Sequence, residues 1–292
     1  MQSRFAITVL FAATWLAAAP PQQILIHEQQ PRSESLSSTS NGTLLIGSMA
    51  KGEILRAPAG AATAEVWIQP GTNGLQRVLG VLADEKTNTL WVCSSGTPQS
   101  GGATGLKTFN LETGAATGSY DFPGGSGLCN DIAIAADGTV YATDTTGARV
   151  VRLRRGARAL DVWAQDSRLN GADGIAFGDA NTIYVNNYFS GQLLRIPVGA
   201  EGAAGAITEM RTSQPLTHPD GMRPMAPNIF LLVEGAGRLD RVTLRGDEAN
   251  VEVLSSGYDT PTAVTQAGST AWVLAAMNAD PPLVHAVALS AK

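Results

Sequence analysis

Four oxygen-bearing side chains occupy matching places in separate segments of the chain: Glu34, Asn130, Asp173 and Asp220. Each begins a short segment that leads through a polar turn into a β-rich stretch. If the fold brings these segments together, three carboxylates would repel one another, and a divalent cation is the usual remedy. A cation with open coordination positions can polarise a carbonyl group and activate water. The residue types and their spacing therefore indicate metal-assisted hydrolysis.

Other interpretations of the same residues stay open. Polar side chains often line a channel and hold only water. His218, two residues before Asp220, could be a proton shuttle or an ordinary turn residue. The sequence has no Gly-x-Ser-x-Gly elbow and no glycine-rich dinucleotide or phosphate loop, and its histidines are too scattered for a zinc motif. The competing chemistries therefore have less support than the carboxylate set.

The matching places belong to a repeat. The segments "ESLSSTSNGTLLIGSMAKGEILRA", "NDIAIAADGTVYATDTTGARVVRL" and "DGIAFGDANTIYVNNYFSGQLLRI" superpose almost without gaps. Successive repeats start 45, 51, 43, 47 and 41 residues apart, a period typical of propeller blades. The six repeats begin at Glu34, Leu79, Asn130, Asp173, Asp220 and Pro261.

Each repeat contains three strands separated by Gly-containing turns, and a fourth follows in segments such as "AEVWIQ" and "LDVWAQ". The last repeat ends one strand short, whereas "QILIHE" supplies an extra strand before the first repeat. We therefore predict an all-β fold: a six-bladed β-propeller with four-stranded blades, closed by the N-terminal strand completing the last blade. Residues 20–292 then form a single propeller domain. Since the innermost strand of a blade lines the channel, the first residues of the repeats should form a ring at one end.

Residues 1–19 are predicted to be a secretory signal peptide. Arg4 precedes the apolar run "FAITVLFAATWLAAA", which ends in small residues. This run is too short for a comfortable bilayer span. We expect a secreted or periplasmic protein with no membrane association after cleavage. Cys93 and Cys129 could pair in such a compartment, but the sequence leaves this open.

The composition excludes several classes of protein and partner. A chain with 44% apolar and 15% charged residues is too hydrophobic to be disordered and too poor in charge for a coiled coil. A net charge of −5 without any long basic run argues against nucleic-acid binding. We expect a small-molecule substrate and a monomer. The strand tryptophans Trp67, Trp91, Trp163 and Trp272 are predicted to fill the space between sheets.

The ordered set "SESL", "CNDIAIAADGTVYATD", "DGIAFGDANTIYVNNY" and "HPDGMR" resembles the senescence marker protein/gluconolactonase/luciferin-regenerating enzyme family, which includes regucalcin. The similarity spans essentially the whole mature chain. Members of that family are six-bladed propellers that hold a divalent cation at the channel mouth. The resemblance implies Glu34, Asp173 and Asp220 as metal ligands, with Asn130 contacting substrate or a metal-bound water. It favours one Ca²⁺, with Zn²⁺ as the alternative.

Two departures from the family pattern bear on the substrate. Asp173 stands where the family often has Asn, which adds negative charge. Leu128 and Cys129 stand where sugar lactonases often place an Arg shortly before the Asn. A more apolar lactone or ester is therefore easier to accommodate than a polyhydroxylated sugar.

The leading hypothesis is a secreted or periplasmic, metal-dependent hydrolase of a lactone or related ester. Asp220 is the best candidate for the general base beside the ion. The second hypothesis is a non-catalytic propeller that binds a small ligand or a partner protein on its channel face; the absence of a self-evident nucleophile favours it. Condensation chemistry like that of strictosidine synthase-like propellers shares the architecture but has no motif support here.

Overall fold

The computed structural model describes residues 21–27, 32–97 and 101–289. The predicted signal peptide, residues 1–19, lies outside the described residues. The predicted all-β class is confirmed, because the helical segments among the described residues are three short 3-10 turns, at Thr72–Gly74, Ser167–Leu169 and Ala200–Gly202. None of the helical segments described has the length and apolar character needed to cross a membrane.

The strands follow one another in short antiparallel meanders. The first are β1 (Gln23–Ile26), β2 (Ser33–Ser38), β3 (Leu44–Ser48), β4 (Ile54–Ala57), β5 (Thr63–Ile68), β6 (Arg77–Asp84), β7 (Thr89–Ser95), β8 (Gly105–Asn110) and β9 (Ala116–Asp121). The next are β10 (Cys129–Ile134), β11 (Val140–Asp144), β12 (Arg149–Leu153), β13 (Asp161–Gln165), β14 (Ala172–Asp179), β15 (Thr182–Asn187), β16 (Leu193–Pro197) and β17 (Thr208–Glu209). The last are β18 (Arg211–Thr212), β19 (Pro219–Ala226), β20 (Ile229–Glu234), β21 (Arg238–Arg245), β22 (Glu248–Ser256), β23 (Ala263–Ala267), β24 (Thr270–Ala275) and β25 (Leu283–Ala288).

Pairing sorts these strands into four-stranded units. Unit I is β2–β5, unit II β6–β9, unit III β10–β13, unit IV β14–β17, unit V β19–β22, and unit VI β23–β25 with β1. The short β18 adds to unit V by parallel pairing with β22. Strand β1 pairs antiparallel with β25, with Leu25 opposite Leu283, and also meets β5 in parallel. The prediction that the N-terminal strand pairs with the last strand of the chain is confirmed.

The units form a closed ring. The first strand of each unit contacts the first strand of the next, through β2, β6, β10, β14, β19 and β23, and β23 contacts β2 again. This arrangement places the start of every unit along one central axis. The side chains at those starts can therefore face one another although they are far apart in sequence.

The apolar core lies between neighbouring sheets rather than at one centre. Leu36 and Ile46 of unit I, for example, pack with Trp272 and Leu274 of unit VI. Strands such as β3 and β11 are buried at every position because sheets cover both their faces, which explains why the chain carries so few charges. Burying each Leu or Ile side chain contributes about 1.5–3 kcal/mol. The predicted packing role of the strand tryptophans is confirmed: Trp163 and Trp272 are buried in these clusters and Trp67 and Trp91 pack against them.

Cys93 and Cys129, whose pairing the sequence left open, form a disulfide. Cys93 lies on β7 of unit II and Cys129 begins β10 of unit III. Both side chains are fully buried. The bond therefore links two neighbouring sheets immediately before Asn130.

Candidate active site

β-bulges set the direction of the predicted ring residues. The register of β2, β10, β14 and β19 against the second strand of its unit shifts just at Glu34, Asn130, Asp173 and Asp220. A bulge inserts one extra residue, bends the strand and re-aims the side chains beside it, and such bulges are frequent next to active sites. In these four units a bulge therefore turns the first residue of the repeat toward the central axis. Hydrophobic alternation along the strand does not reveal such a bulge.

The structure brings all four predicted site residues together. Glu34, Asn130, Asp173 and Asp220 line one small cavity, and each is buried. The Asn130 side-chain amide donates to Asp173 Oδ2 at 2.9 Å, and a side-chain hydrogen bond links Asp220 to Asp173. The cavity has a volume of about 10 Å³, which is room for a single water or ion.

Burial and mutual repulsion raise the pKa values of these carboxyl groups. Burial, and then the charge of Asp131, raises the pKa of Asp173 to about 7. Burial, followed by the charges of Asp173 and Glu34, raises the pKa of Asp220 well above its usual value. The pKa of Glu34 is also raised well above its usual value, mainly by burial, although Arg77 and Arg223 oppose the shift. The site is thus a cluster of carboxyl groups that is poised to give up protons when a positive charge approaches.

Sequence reasoning missed two charged residues of this cluster, Asp131 and Arg223. Asp131 follows Asn130 within the same bulge, and its Oδ2 accepts from Arg223 Nη1 at 2.6 Å and from the Ile175 N–H at 3.2 Å. The side chains of Asp131 and Arg223 are only 6% and 10% exposed. The signal for Asp131 was present in the repeat, because units IV and V have glycine directly after their ring residue, where unit III has an aspartate.

The same cavity contains two buried hydroxyl groups, on Ser35 and Thr262, that have no hydrogen-bond partner among the described residues. Thr262, rather than the predicted ring position Pro261, lines the cavity on the side of unit VI. Unsatisfied buried hydroxyls are costly and are typically matched by water, an ion or a ligand. They add two neutral oxygens to the carboxylate set.

Side chains at the ends of second strands hold the segments that lead into the ring. The Asp144 carboxylate, at the end of β11, accepts the Leu128 N–H at 2.9 Å. Glu234, at the end of β20, accepts the N–H of Thr217. These contacts fix the approach to Asn130 and to Asp220 respectively, so the ring residues do not depend on mobile loops for their position.

Aromatic side chains stand beside the carboxylates on the side of units IV and V. Tyr188 stacks on His218 with ring centroids 5.0 Å apart, and Phe189 meets Tyr188 edge-on at 5.5 Å. Burial, and then the charges of Asp220, Asp173 and Glu34, raises the pKa of Tyr188. The Tyr188 phenol therefore lies within the electrostatic reach of the cluster.

The donor set has the chemistry that a hard divalent cation prefers. Four carboxyl groups, the Asn130 amide and two hydroxyls line the cavity as oxygen donors, with no sulfur or imidazole, and Arg223 is the cationic side chain of the lining. No three His, Cys, Asp or Glu side chains of the described ranges stand in an arrangement that could hold a metal ion. The donor types fit such a cation, while their present arrangement is not an assembled coordination sphere.

Comparison with known proteins finds likeness in structure only. No family model matches the chain, and no curated protein matches it in sequence. Among solved structures, a gluconolactonase from Xanthomonas campestris superposes with a TM-score of 0.67 at 16% identity, covering 91% of this chain and 89% of that one. The calcium-binding protein regucalcin from Agrobacterium tumefaciens gives a TM-score of 0.67 at 16% identity, covering 93% and 96%.

Proteins of different chemistry share the architecture as well. A virginiamycin B lyase from Staphylococcus aureus superposes with a TM-score of 0.62 at 13% identity, covering 92% of this chain and 99% of that one. At such identities the likeness shows the fold and leaves function to the site. The fold of this chain is a β-propeller fold similar to that of gluconolactonase and regucalcin, as the sequence resemblance implied.

Proposed function

We propose that the protein is a metal-dependent hydrolase of a lactone or related ester. One observation carries the proposal: three buried carboxyl groups from three separate units converge on a cavity with room for one water or ion. Solved structures of the same fold include a gluconolactonase and a calcium-binding regucalcin, which supports this class of chemistry. In the proposal each unit is one blade of a six-bladed propeller, and the cavity lies at one end of its channel.

Glu34, Asp173 and Asp220 would hold one divalent cation, with Ca²⁺ favoured and Zn²⁺ as the alternative. Such an ion, when bound, polarises a carbonyl and lowers the pKa of water beside it. Its positive charge would also offset the repulsion that otherwise raises the pKa values of these groups. Asn130 orients Asp173 through its amide and is the candidate for contact with substrate.

Asp220 is the proposed general base. Its carboxylate takes a proton from the attacking water while the water oxygen bonds to the carbonyl carbon. The C–O bond of the ester then breaks, and the leaving oxygen takes up a proton. Lactone plus water thus gives a hydroxy acid, with all atoms accounted for. A base in a buried, hydrogen-bonded position keeps its geometry through both proton transfers.

The proposal extends to where the protein acts. Residues 1–19 would be removed as a signal peptide, leaving the single domain 20–292 as a secreted or periplasmic monomer. The disulfide supports this location, because such bonds persist in oxidising compartments.

The test measures hydrolysis of a panel of aliphatic and sugar lactones, with and without a chelator. Proton release from the hydroxy acid product is the readout. We expect turnover that the chelator removes and added Ca²⁺ restores. Asp220→Asn should lower kcat/KM by about 100-fold or more, since a general base contributes at least that factor. Glu112→Gln, which changes an exposed carboxylate in the turn after β8 and outside the cavity lining, should leave kcat/KM unchanged.

Undiminished turnover in Asp220→Asn, or turnover that is insensitive to the chelator, would contradict the proposed mechanism. Elemental analysis of the purified protein separates the alternatives further. A stoichiometric ion without any hydrolysis would favour the second hypothesis, a propeller that binds a ligand or partner on its channel face.

A further inference from the structure

Next to the carboxylates stands an aromatic wall, defined as Tyr188, Phe189 and His218. Phe189 is 70% exposed. The other exposed large hydrophobic side chains of the described residues, Val162 and Val253, are less exposed and lie on the outer strands β13 and β22. Phe189 is thus the most exposed large hydrophobic side chain of the described residues, and its ring meets that of Tyr188 edge-on.

The Phe189 side chain is exposed, while its backbone is held by hydrogen bonds. The Asn187 Oδ1 atom accepts the N–H groups of Phe189 and Ser190, both at 3.0 Å. The Phe189 ring lies so close to Gly171 that a Cβ there would come within 2.6 Å of Phe189 Cδ2. Asn187 is itself buried, and its amide donates to the carbonyls of Arg168 and Asn170. The backbone that carries the Phe189 ring is therefore anchored by a buried amide, and the ring itself lies against Tyr188 and Gly171.

The wall is connected directly to the ring residues. Asn187 pairs with Ala172 across the sheet, and Ala172 directly precedes Asp173. Tyr188, the residue after Asn187, therefore lies at the same end of the sheet as Asp173. His218 lies two residues before Asp220 and stacks on Tyr188. The wall therefore adjoins the strand ends that carry Asp173 and Asp220.

We infer that the aromatic wall selects a lactone or ester that carries an apolar ring or chain close to its ester group. This inference rests on the proposed function and names its substrate class. An apolar substituent packed on Phe189 and Tyr188 removes apolar area from water and can stack edge-on or offset. A sugar lactone would set hydroxyl groups against the same surface without partners for them.

The test compares δ-valerolactone, its 6-phenyl derivative and glucono-δ-lactone as substrates. Binding of 2-piperidinone and 6-phenyl-2-piperidinone, which resist hydrolysis, is measured in parallel by calorimetry. The variants are Phe189→Ala, Phe189→Tyr, which keeps the ring, and the control Val253→Ala, which removes exposed apolar surface on an outer strand.

We expect the phenyl compound to be preferred over its parent in both kcat/KM and binding. Phe189→Ala should reduce this preference by about threefold to tenfold, the range of aromatic packing energies. Phe189→Tyr and Val253→Ala should retain it.

Turnover with no phenyl preference, or a preference that survives Phe189→Ala, overturns the inference and leaves the proposed function standing. A phenyl preference in lactam binding without hydrolysis of any lactone overturns the proposed function and leaves the role of the wall in ligand selection standing. Neither turnover nor lactam binding overturns both.

Discussion

Arg223 offsets part of the negative charge that the fold buries around the cavity. Its guanidinium pairs with Asp131 and opposes the rise in the pKa of Glu34. A buried ion pair adds little net stability by itself, but removing one partner leaves an uncompensated charge away from water. Arg223 therefore stabilises the fold chiefly because its loss would leave the Asp131 carboxylate buried without its ion-pair partner.

We predict that Arg223→Met lowers the free energy of unfolding at pH 7 by about 3–5 kcal/mol, measured by urea denaturation. The double variant Arg223→Met/Asp131→Asn should recover most of that loss, because it removes the orphaned carboxylate as well. A double variant as unstable as the single one would show that packing of the Arg223 side chain, and not its charge, is what stabilises the fold.

Asp240 is a buried carboxylate outside the candidate site, and it contributes to the pH dependence of the free energy of unfolding. Its carboxyl group is buried and lies within hydrogen-bonding reach of the Glu234 carboxyl group. Burial, together with the neighbouring Glu234, raises the pKa of Asp240 to about 8, although Arg238 opposes the shift. In the unfolded chain this pKa is about 3.9. The folded state therefore binds the proton more tightly than the unfolded state.

The sign of the pH dependence follows from linkage. The contribution of Asp240 to stability is fully present below pH about 4, and it is lost as the pH rises toward the folded-state pKa of about 8. We predict that Asp240→Asn flattens the decline in the free energy of unfolding across this window, measured by urea denaturation at several pH values. The control Asp259→Asn, at an exposed position, should keep the wild-type slope; an unchanged slope in Asp240→Asn would contradict the assignment.

At the scale of elements, the bulged first strands approach one another closely. A Cβ on Gly174 of β14 would meet the Asp220 carbonyl oxygen of β19 at 2.6 Å, and a Cβ on Gly221 would meet the Thr262 carbonyl oxygen at 2.7 Å. These glycines allow neighbouring units to bring their ring residues within reach of one cavity. A glycine directly after the ring residue is thus required for units IV and V to approach their neighbours closely enough to form the site.

We predict that Gly174→Ala lowers the free energy of unfolding by about 1–3 kcal/mol, the usual cost of overpacking, because backbone must move to make room. Since β14 and β19 carry Asp173 and Asp220, the substitution should also lower kcat/KM in the lactone assay. Gly199→Ala is the matched control: a Cβ there meets nothing closer than 3.5 Å. Equal effects of the two substitutions would show that loss of glycine itself, rather than close approach, is responsible.

The sequence was sufficient for the strands and for four of the six predicted ring residues, because Gly-containing turns and a repeat are local signals; Leu79 and Pro261 do not line the cavity. Glu34, Asn130, Asp173 and Asp220 were identified by their place in that repeat. The part that escaped is non-local. Whether one or two successive residues face the axis depends on bulge geometry, which concealed Asp131. Arg223 reaches the cluster from unit V to pair with unit III, a contact that depends on the order of sheets around the ring.

At the scale of the whole molecule, β1 connects the two ends of the chain. Ile24 and Ile26 of β1 are buried in the core between units I and VI, and β1 bonds to strands of both units. A ring closed in this way has no unit at an open end. Loss of the β1 closure should therefore also destabilise units on the opposite side of the ring.

We predict that Ile26→Ala lowers the free energy of unfolding by about 2–5 kcal/mol, the usual cost of such a truncation in a core. Amide hydrogen exchange should accelerate in β12 of unit III as well as in β1 and β25, because a closed ring opens cooperatively. Exchange that accelerates only in β1 and β25 would instead indicate local fraying of one sheet.

The disulfide makes the assembly of the candidate active site sensitive to redox conditions. Cys129 precedes Asn130 directly, and its bond to Cys93 anchors the beginning of β10 to unit II. Both sulfurs are shielded from solvent in the folded protein, so the bond is formed during folding and is then protected from reductants. A chain folded in a reducing compartment would lack this anchor at the residue where unit III enters the ring. The compartment in which the chain folds would then decide how firmly its carboxylates are positioned.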